Sequence, residues 1–108
     1  MINRIQAHAQ ELNQACLQSQ VSELYVFGSV LTDQFHSGSD IDFIVTIDES
    51  DPLEYAEYYF QLKFALEKIF GRKVDLLEQK ATRNQAFQEM IDRQKQLVYA
   101  RKGQSVAE

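Results

Sequence analysis

Several things are scarce in this chain, and each scarcity excludes something. There is one cysteine, Cys16, so no disulfide can form within the chain, which suits a reducing cytoplasm. No stretch approaches the roughly eighteen consecutive apolar residues that a membrane helix requires. The opening Met1-Ile-Asn-Arg-Ile-Gln lacks the basic-then-apolar layout of a secretory signal. Lysine and arginine are outnumbered by aspartate and glutamate, 11 to 16, giving a formal net charge of −5 and a pI near 5.0. General duplex binding depends on neutralising phosphates with basic side chains, so direct nucleic-acid binding is not expected. No group of His, Cys or Glu has zinc-ligand spacing, and the phosphate loop G-x-x-x-x-G-K-[ST] is absent. Ser29 has no histidine placed to activate it, which argues against serine-hydrolase chemistry.

What remains is an ordinary soluble composition in 108 residues, 44% hydrophobic and 25% charged. That length supports one modest core, hence a single domain over 1–108. Ile2, Ile5, Ala9, Leu12 and Cys16 recur at spacings of three and four, one face of a helix. Cys16 on that stripe reads as packing, and His8 falls off it. Glu23 to Phe27 reads as a short buried strand, broken by Gly28-Ser29. Val30 to Phe35 has room only for a turn or short helix, and His36 to Ser39 is loop chemistry.

Asp40 to Ile47 alternates strictly, with Ile41, Phe43, Val45 and Ile47 on one face and Asp40, Asp42, Ile44 and Thr46 on the other. Asp51-Pro52-Leu53-Glu54 starts a helix: an Asp N-cap, Pro at the first position and Glu closing a capping box. It should run to Phe70 and stop at Gly71. Lys73 to Leu77 is a third strand, and Asn84 to Tyr99 a final helix. The fold class is therefore α+β, a small mixed sheet of three or more strands packed with helices.

Three pieces carry candidate chemistry. Gly28-Ser29, at a strand end, would expose backbone N–H groups to an anionic phosphate. Asp40 and Asp42 share a strand face, so their carboxylates are aimed together. Like charges that close repel unless a cation intervenes, and hard oxygen ligands suit Mg²⁺ or Mn²⁺. Asp75 sits between Val74 and Leu76 in a strand otherwise suited to burial, where an ionised carboxylate is costly unless paired or metal-bound. Each piece also has a plain structural account: a loop, a solvated strand face, and a strand Asp bridged to Arg72 or Lys73. Glu78 is a weaker candidate at the strand's end, and His36 a loop histidine near the others.

Gly28-Ser29, ten intervening residues, Asp40-Ile41-Asp42 and then a lone strand aspartate together resemble the signature of the polymerase-beta-type nucleotidyltransferases. The runs Leu24-Tyr-Val-Phe-Gly-Ser-Val, Ser39-Asp-Ile-Asp-Phe and Gly71-Arg-Lys-Val-Asp-Leu-Leu are similar to the minimal nucleotidyltransferases of the MntA type. The resemblance implies the nucleotidyltransferase fold and a catalytic set of Asp40, Asp42 and Asp75 holding two Mg²⁺ ions. It further implies ATP as substrate, with its phosphates gripped at Gly28 and Ser29. The expected reaction is transfer of AMP to a hydroxyl on a protein partner, with the chain acting as antitoxin of a HEPN-domain ribonuclease. Alternatives of other classes are a non-catalytic module that masks its partner by contact, or nucleotidylation of a small molecule. One departure stands out: Val30-Leu31-Thr32-Asp33 follow Gly28-Ser29 where related sequences often carry arginines, leaving Arg72, Lys73 and Arg83 as substitute phosphate contacts.

The helix from Pro52 to Phe70 is apolar over a wide arc, one stripe being Leu53, Ala56, Phe60 and Phe64, another Tyr59, Leu62, Leu66 and Ile69. One sheet face consumes about one stripe. The other is expected to keep exposed members and to serve a partner or a homo-oligomer.

Overall fold

The computed structural model describes residues 2–27, 40–78 and 85–101. Along them run α1 (Ile2–Ala7), α2 (Ala9–Gln18), β1 (Val21–Phe27), β2 (Ile41–Ile47), α3 (Pro52–Phe70), β3 (Val74–Glu78), α4 (Gln85–Gln94) and β4 (Gln96–Ala100). The strands form one mixed sheet in the order β3-β2-β1-β4. β1 pairs antiparallel with β2 and with β4, while β2 and β3 run parallel because α3 carries the chain back across the sheet between them. This is the expected α+β architecture.

The alternation read from β2 sets the layers. Ile41, Phe43, Val45 and Ile47 are all sealed on the face covered by α2 and α3. There they meet Leu12, Ala15 and Cys16 from α2, Leu62, Leu66 and Phe70 from α3, and Leu24 and Val26 from β1. Each fully buried Leu contributes about 1.5–3 kcal/mol by leaving water. Cys16 is indeed core, and burial pushes its thiol up to about 12, so it stays protonated and inert. Tyr59 fastens α3 to the edge strand by donating its hydroxyl to the carbonyl of Leu76 at 2.6 Å. Gln61 ties α3 to the end of α2 through the carbonyl of Gln18 at 3.2 Å.

Helix α3 matches its sequence signals at both ends. The Asp51 carboxylate accepts from the backbone N–H of Leu53 at 2.9 Å, Pro52 occupies the first turn, and Gly71 ends the helix at φ 66°. The capping box is the exception. The Asp51 N–H donates to Glu49 at 3.1 Å, so an acid two residues upstream fills the role assigned to Glu54.

Three expectations are corrected. The first helix is two, α1 and α2, with a turn at His8. His8 is half-buried rather than free: Nδ1 lies 2.7 Å from Glu11, and the ring meets Phe70 edge-on at 5.7 Å. The terminal helix stops at Gln94, and Gln96–Ala100 is a fourth strand against β1. Val98 and Tyr99 are β-branched and aromatic side chains that favour a pleated surface. Tyr99 enters the core, Arg101 donates its N–H to Ser22 at 2.9 Å, and its guanidinium pairs with Asp48 at 2.7 Å. The expected short helix at Val30–Phe35 lies outside the described residues.

Candidate active site at the strand ends

The topology gathers four strand ends at one edge of the sheet. β1 arrives there at Phe27, while β2, β3 and β4 depart from it at Ile41, Val74 and Gln96. The register then places chemistry. Phe27 lies opposite Asp42, and Asp42 lies opposite Asp75. In-register neighbours on adjacent strands share a face, so both carboxylates project from the face away from α2 and α3.

Asp42 is half-buried, and its carboxyl is pushed up to about 6. Burial is the largest cause; next come the charge of Asp75, a hydrogen bond shared with it, and the charge of Asp40. Asp42 beside a second carboxylate cannot ionise cheaply, and a cation between the two would relieve that cost. Asp40, exposed and two residues outward, adds its negative field.

Asp75 differs from its expected setting. It is exposed, as is Leu77 on the same face, because the outer side of edge strand β3 is open. The desolvation argued for Asp75 from its apolar neighbours falls on Asp42 instead. Glu78 ends β3 beside Tyr55, whose phenol it helps push upward after the larger effect of burial. Gly28, Ser29, His36 and Arg83 lie outside the described residues; β1 ends at Phe27, directly across from Asp42.

The donor set suits a hard divalent cation: oxygen ligands only, two of them side by side. Among the described residues no three His, Cys, Asp or Glu side chains close into a metal cage. The unit on view is the Asp42–Asp75 pair, which would leave the remaining coordination sphere to water and phosphate, as Mg²⁺ commonly prefers.

The sequence reading missed Lys95. It directly precedes β4 at the same edge, with Nζ 4.2 Å from the ring centre of Tyr25 and 2.9 Å from Asp92. Tyr25 pairs with Ile44, one step along the Asp42 face. A cation therefore stands at the same end of the sheet as Asp42, over the Tyr25 ring. Arg72 and Lys73, the substitutes named from sequence, immediately precede β3 at this edge, and the Lys73 carbonyl accepts from Ile41 N–H at 3.1 Å. The sequence signal for Lys95 is a switch from helical spacing to a Leu-Val-Tyr run inside the segment expected as the final helix.

Comparison with known proteins decides what this edge belongs to. The family described as "Polymerase beta, Nucleotidyltransferase" matches residues 10–104. The chain belongs to that family. This nucleotidyltransferase is also 35% identical over 72 residues to a Methanocaldococcus jannaschii protein named for protein adenylyltransferase activity, covering 67% of this chain and 71% of that one. A solved minimal nucleotidyltransferase superposes with TM-score 0.66 at 26% identity, over 84% of this chain and 89% of that one. A chain from a toxin–antitoxin structure with AMP-PNP gives 0.64 at 18% identity, over 87% and 74%. One from a complex of a tri-AMPylated Shewanella oneidensis HEPN toxin with its MNT antitoxin gives 0.58 at 17%, over 91% and 74%. The last two share the fold. Among the described residues, no helix of this nucleotidyltransferase is long and apolar enough to cross a membrane.

Proposed function

We propose that this nucleotidyltransferase moves AMP from ATP to a hydroxyl on a protein partner, and that the partner is a HEPN-type ribonuclease toxin which it thereby inactivates. The observation that carries the reading is the in-register pairing of Asp42 with Asp75 at an edge where four strand ends meet. The relative named for protein adenylyltransferase activity and the antitoxins that share the fold support the choice of acceptor. AMP-PNP in one such structure supports the choice of donor.

Asp40, Asp42 and Asp75 would hold two Mg²⁺ ions, with Mn²⁺ an alternative. When bound, such ions offset phosphate charge and lower the pKa of an attacking hydroxyl. The residues' own tasks follow from position. Asp42, central and half-buried, would hold the cation that offsets the charge at the α-phosphate end of the nucleotide. Asp75, exposed at the edge, faces the side from which an acceptor arrives and takes the proton from its hydroxyl. Oxygen–phosphorus bond formation at the α-phosphate then accompanies departure of pyrophosphate. Gly28 and Ser29 would hold the β- and γ-phosphates through backbone N–H groups, with Lys95, Arg72 and Lys73 supplying positive charge. Alignment and charge compensation do most of the work in phosphoryl chemistry, so few residues suffice.

Calorimetric titration with ATP tests the site. Binding should require Mg²⁺ in the parent protein and weaken strongly in Asp40→Asn and Asp42→Asn. Equal affinity in all three would remove these residues from the site.

A further inference from the structure

Helix α3 seals one stripe and leaves the opposite one bare. Leu62 and Leu66 are fully buried, yet Leu53, Phe60 and Phe64 are 80%, 52% and 61% exposed. The bare aromatics form a cluster: Phe60 and Phe64 stack at 6.2 Å, and Tyr59 meets Phe60 edge-on at 5.0 Å. Leu53, Glu57, Phe60, Phe64, Glu67 and Gly71 follow one another at spacings of four, three, four, three and four. That alternation of fours and threes keeps a single line of contact facing a second helix.

Charge along the helix identifies the second helix. The first half and its cap carry Asp51, Glu54 and Glu57; the second half and its exit carry Lys63, Glu67, Lys68, Arg72 and Lys73. Glu67 is already engaged within the chain, by Lys63 at 3.2 Å and by the backbone N–H of Val74 at 3.2 Å. A helix laid parallel with the same polarity would set like charge against like. One laid antiparallel sets acid against base at both ends. Such a partner needs an exposed apolar stripe, an acidic first half and a basic second half, which α3 itself possesses.

We propose that a second copy of this chain packs on the bare face of α3, antiparallel, about a two-fold axis passing near the level of Leu62. Phe60 of each copy then lies beside Phe64 of the other. Glu57 and Lys68 are eleven residues apart, about three turns, and so share a flank of the helix. The two-fold brings Glu57 of each copy to Lys68 of the other. Leu53 of each lies over Gly71 of the other, where open space surrounds the position of a would-be Cβ. Isologous pairing of this kind is the commonest route to a homodimer. One helix face offers less than the roughly 800 Å² per partner of a standard interface, so the dimer is weak and concentration-dependent.

Sedimentation velocity of the full chain, from low micromolar to near millimolar, tests this. A monomer–dimer equilibrium that weakens with salt is expected. Glu57→Lys alone and Lys68→Glu alone should each weaken self-association by on the order of tenfold, since two symmetric attractions become repulsions. An equimolar mixture of the two variants should associate again as a heterodimer, because each introduced charge now meets its opposite. Phe60→Ser and Phe64→Ser should abolish association with an unchanged thermal melt, both positions being exposed. A parent protein that is monomeric throughout would overturn the proposal, as would a dimer indifferent to the single charge reversals or not restored by mixing. A chain that is monomeric alone and has α3 protected from exchange only when a HEPN-type protein is added would also overturn it, and would give the face to that partner.

Discussion

Replacing Asp42 by Asn should stabilise the metal-free protein at neutral pH. The carboxyl is raised from 3.8 to about 6 by burial and by the charges of Asp75 and Asp40, so ionising it costs the folded state. A shift of about two units corresponds to at most about 3 kcal/mol at about 1.4 kcal/mol per unit. The group is only half-buried, and solvent screening reduces this to about 1 kcal/mol. That converts to a rise of about 4–8 °C in Tm for a domain near this size. The sign with pH is fixed. A raised carboxyl binds its proton more tightly in the folded state, so the penalty is complete above about 6, shrinks as pH falls, and vanishes below 3.8. Thermal melts in chelator at a series of pH values should therefore show the Asn variant ahead at pH 7.5 and level with the parent near pH 4. Adding Mg²⁺ should reverse the order, raising the parent and leaving the variant unmoved. A variant that melts below the parent at pH 7.5 in chelator, or a difference independent of pH, would refute the electrostatic account of this pair.

Other outcomes follow from the same geometry. Asp75→Asn, at an exposed position, should leave the melt within about 0.5 kcal/mol of the parent yet lower transfer severely, measured as product per enzyme at saturating ATP. Lys95→Gln should raise the dissociation constant for ATP, by calorimetry, more than that for adenosine, since only the phosphates need the cation. Leu62→Ala should cost about 2–5 kcal/mol in urea unfolding, because it empties a sealed position between helix and sheet. Gly71→Ala should cost about 1–2 kcal/mol in the same assay, since its φ of 66° strains any residue with a Cβ.

Much of this fold was legible because the signals were local. Strict alternation in Asp40–Ile47 determined both the strand and its buried face, and Asp51, Pro52 and Gly71 bounded α3 to the residue. What escaped depended on neighbours distant in sequence. Leu97 and Val98 continue the spacing of the preceding helix, and only pairing with Tyr25 and Leu24 makes that segment a strand. The break at His8 was hidden because Ile5 and Leu12 reach the same core on either side of the turn. Glu49 displaced Glu54 at the cap because a flexible acid two residues away reaches the Asp51 N–H as readily.

At the site, the residue types were readable and their environments were not. Asp75 looked buried between Val74 and Leu76, but it faces outward from an edge strand. Asp42 carries the electrostatic burden because its strand is central. Lys95 was invisible while its segment read as helix. The exposed stripe of α3 was anticipated from the width of its apolar arc, and the buried members proved to be those on the Leu62 and Leu66 side.

The central claim, transfer of AMP through the Asp42–Asp75 edge, is tested most directly by where a label goes. The protein is incubated with Mg²⁺ and a HEPN-type protein, in parallel with ATP labelled at the α- or the γ-phosphate. Acceptor that gains the α-label and never the γ-label, with the gain lost in Asp42→Asn and Asp75→Asn, is the predicted result. An unlabelled acceptor whose ribonuclease activity is nevertheless blocked equally by the parent and by both variants would contradict it, leaving a protein that silences its partner by contact alone.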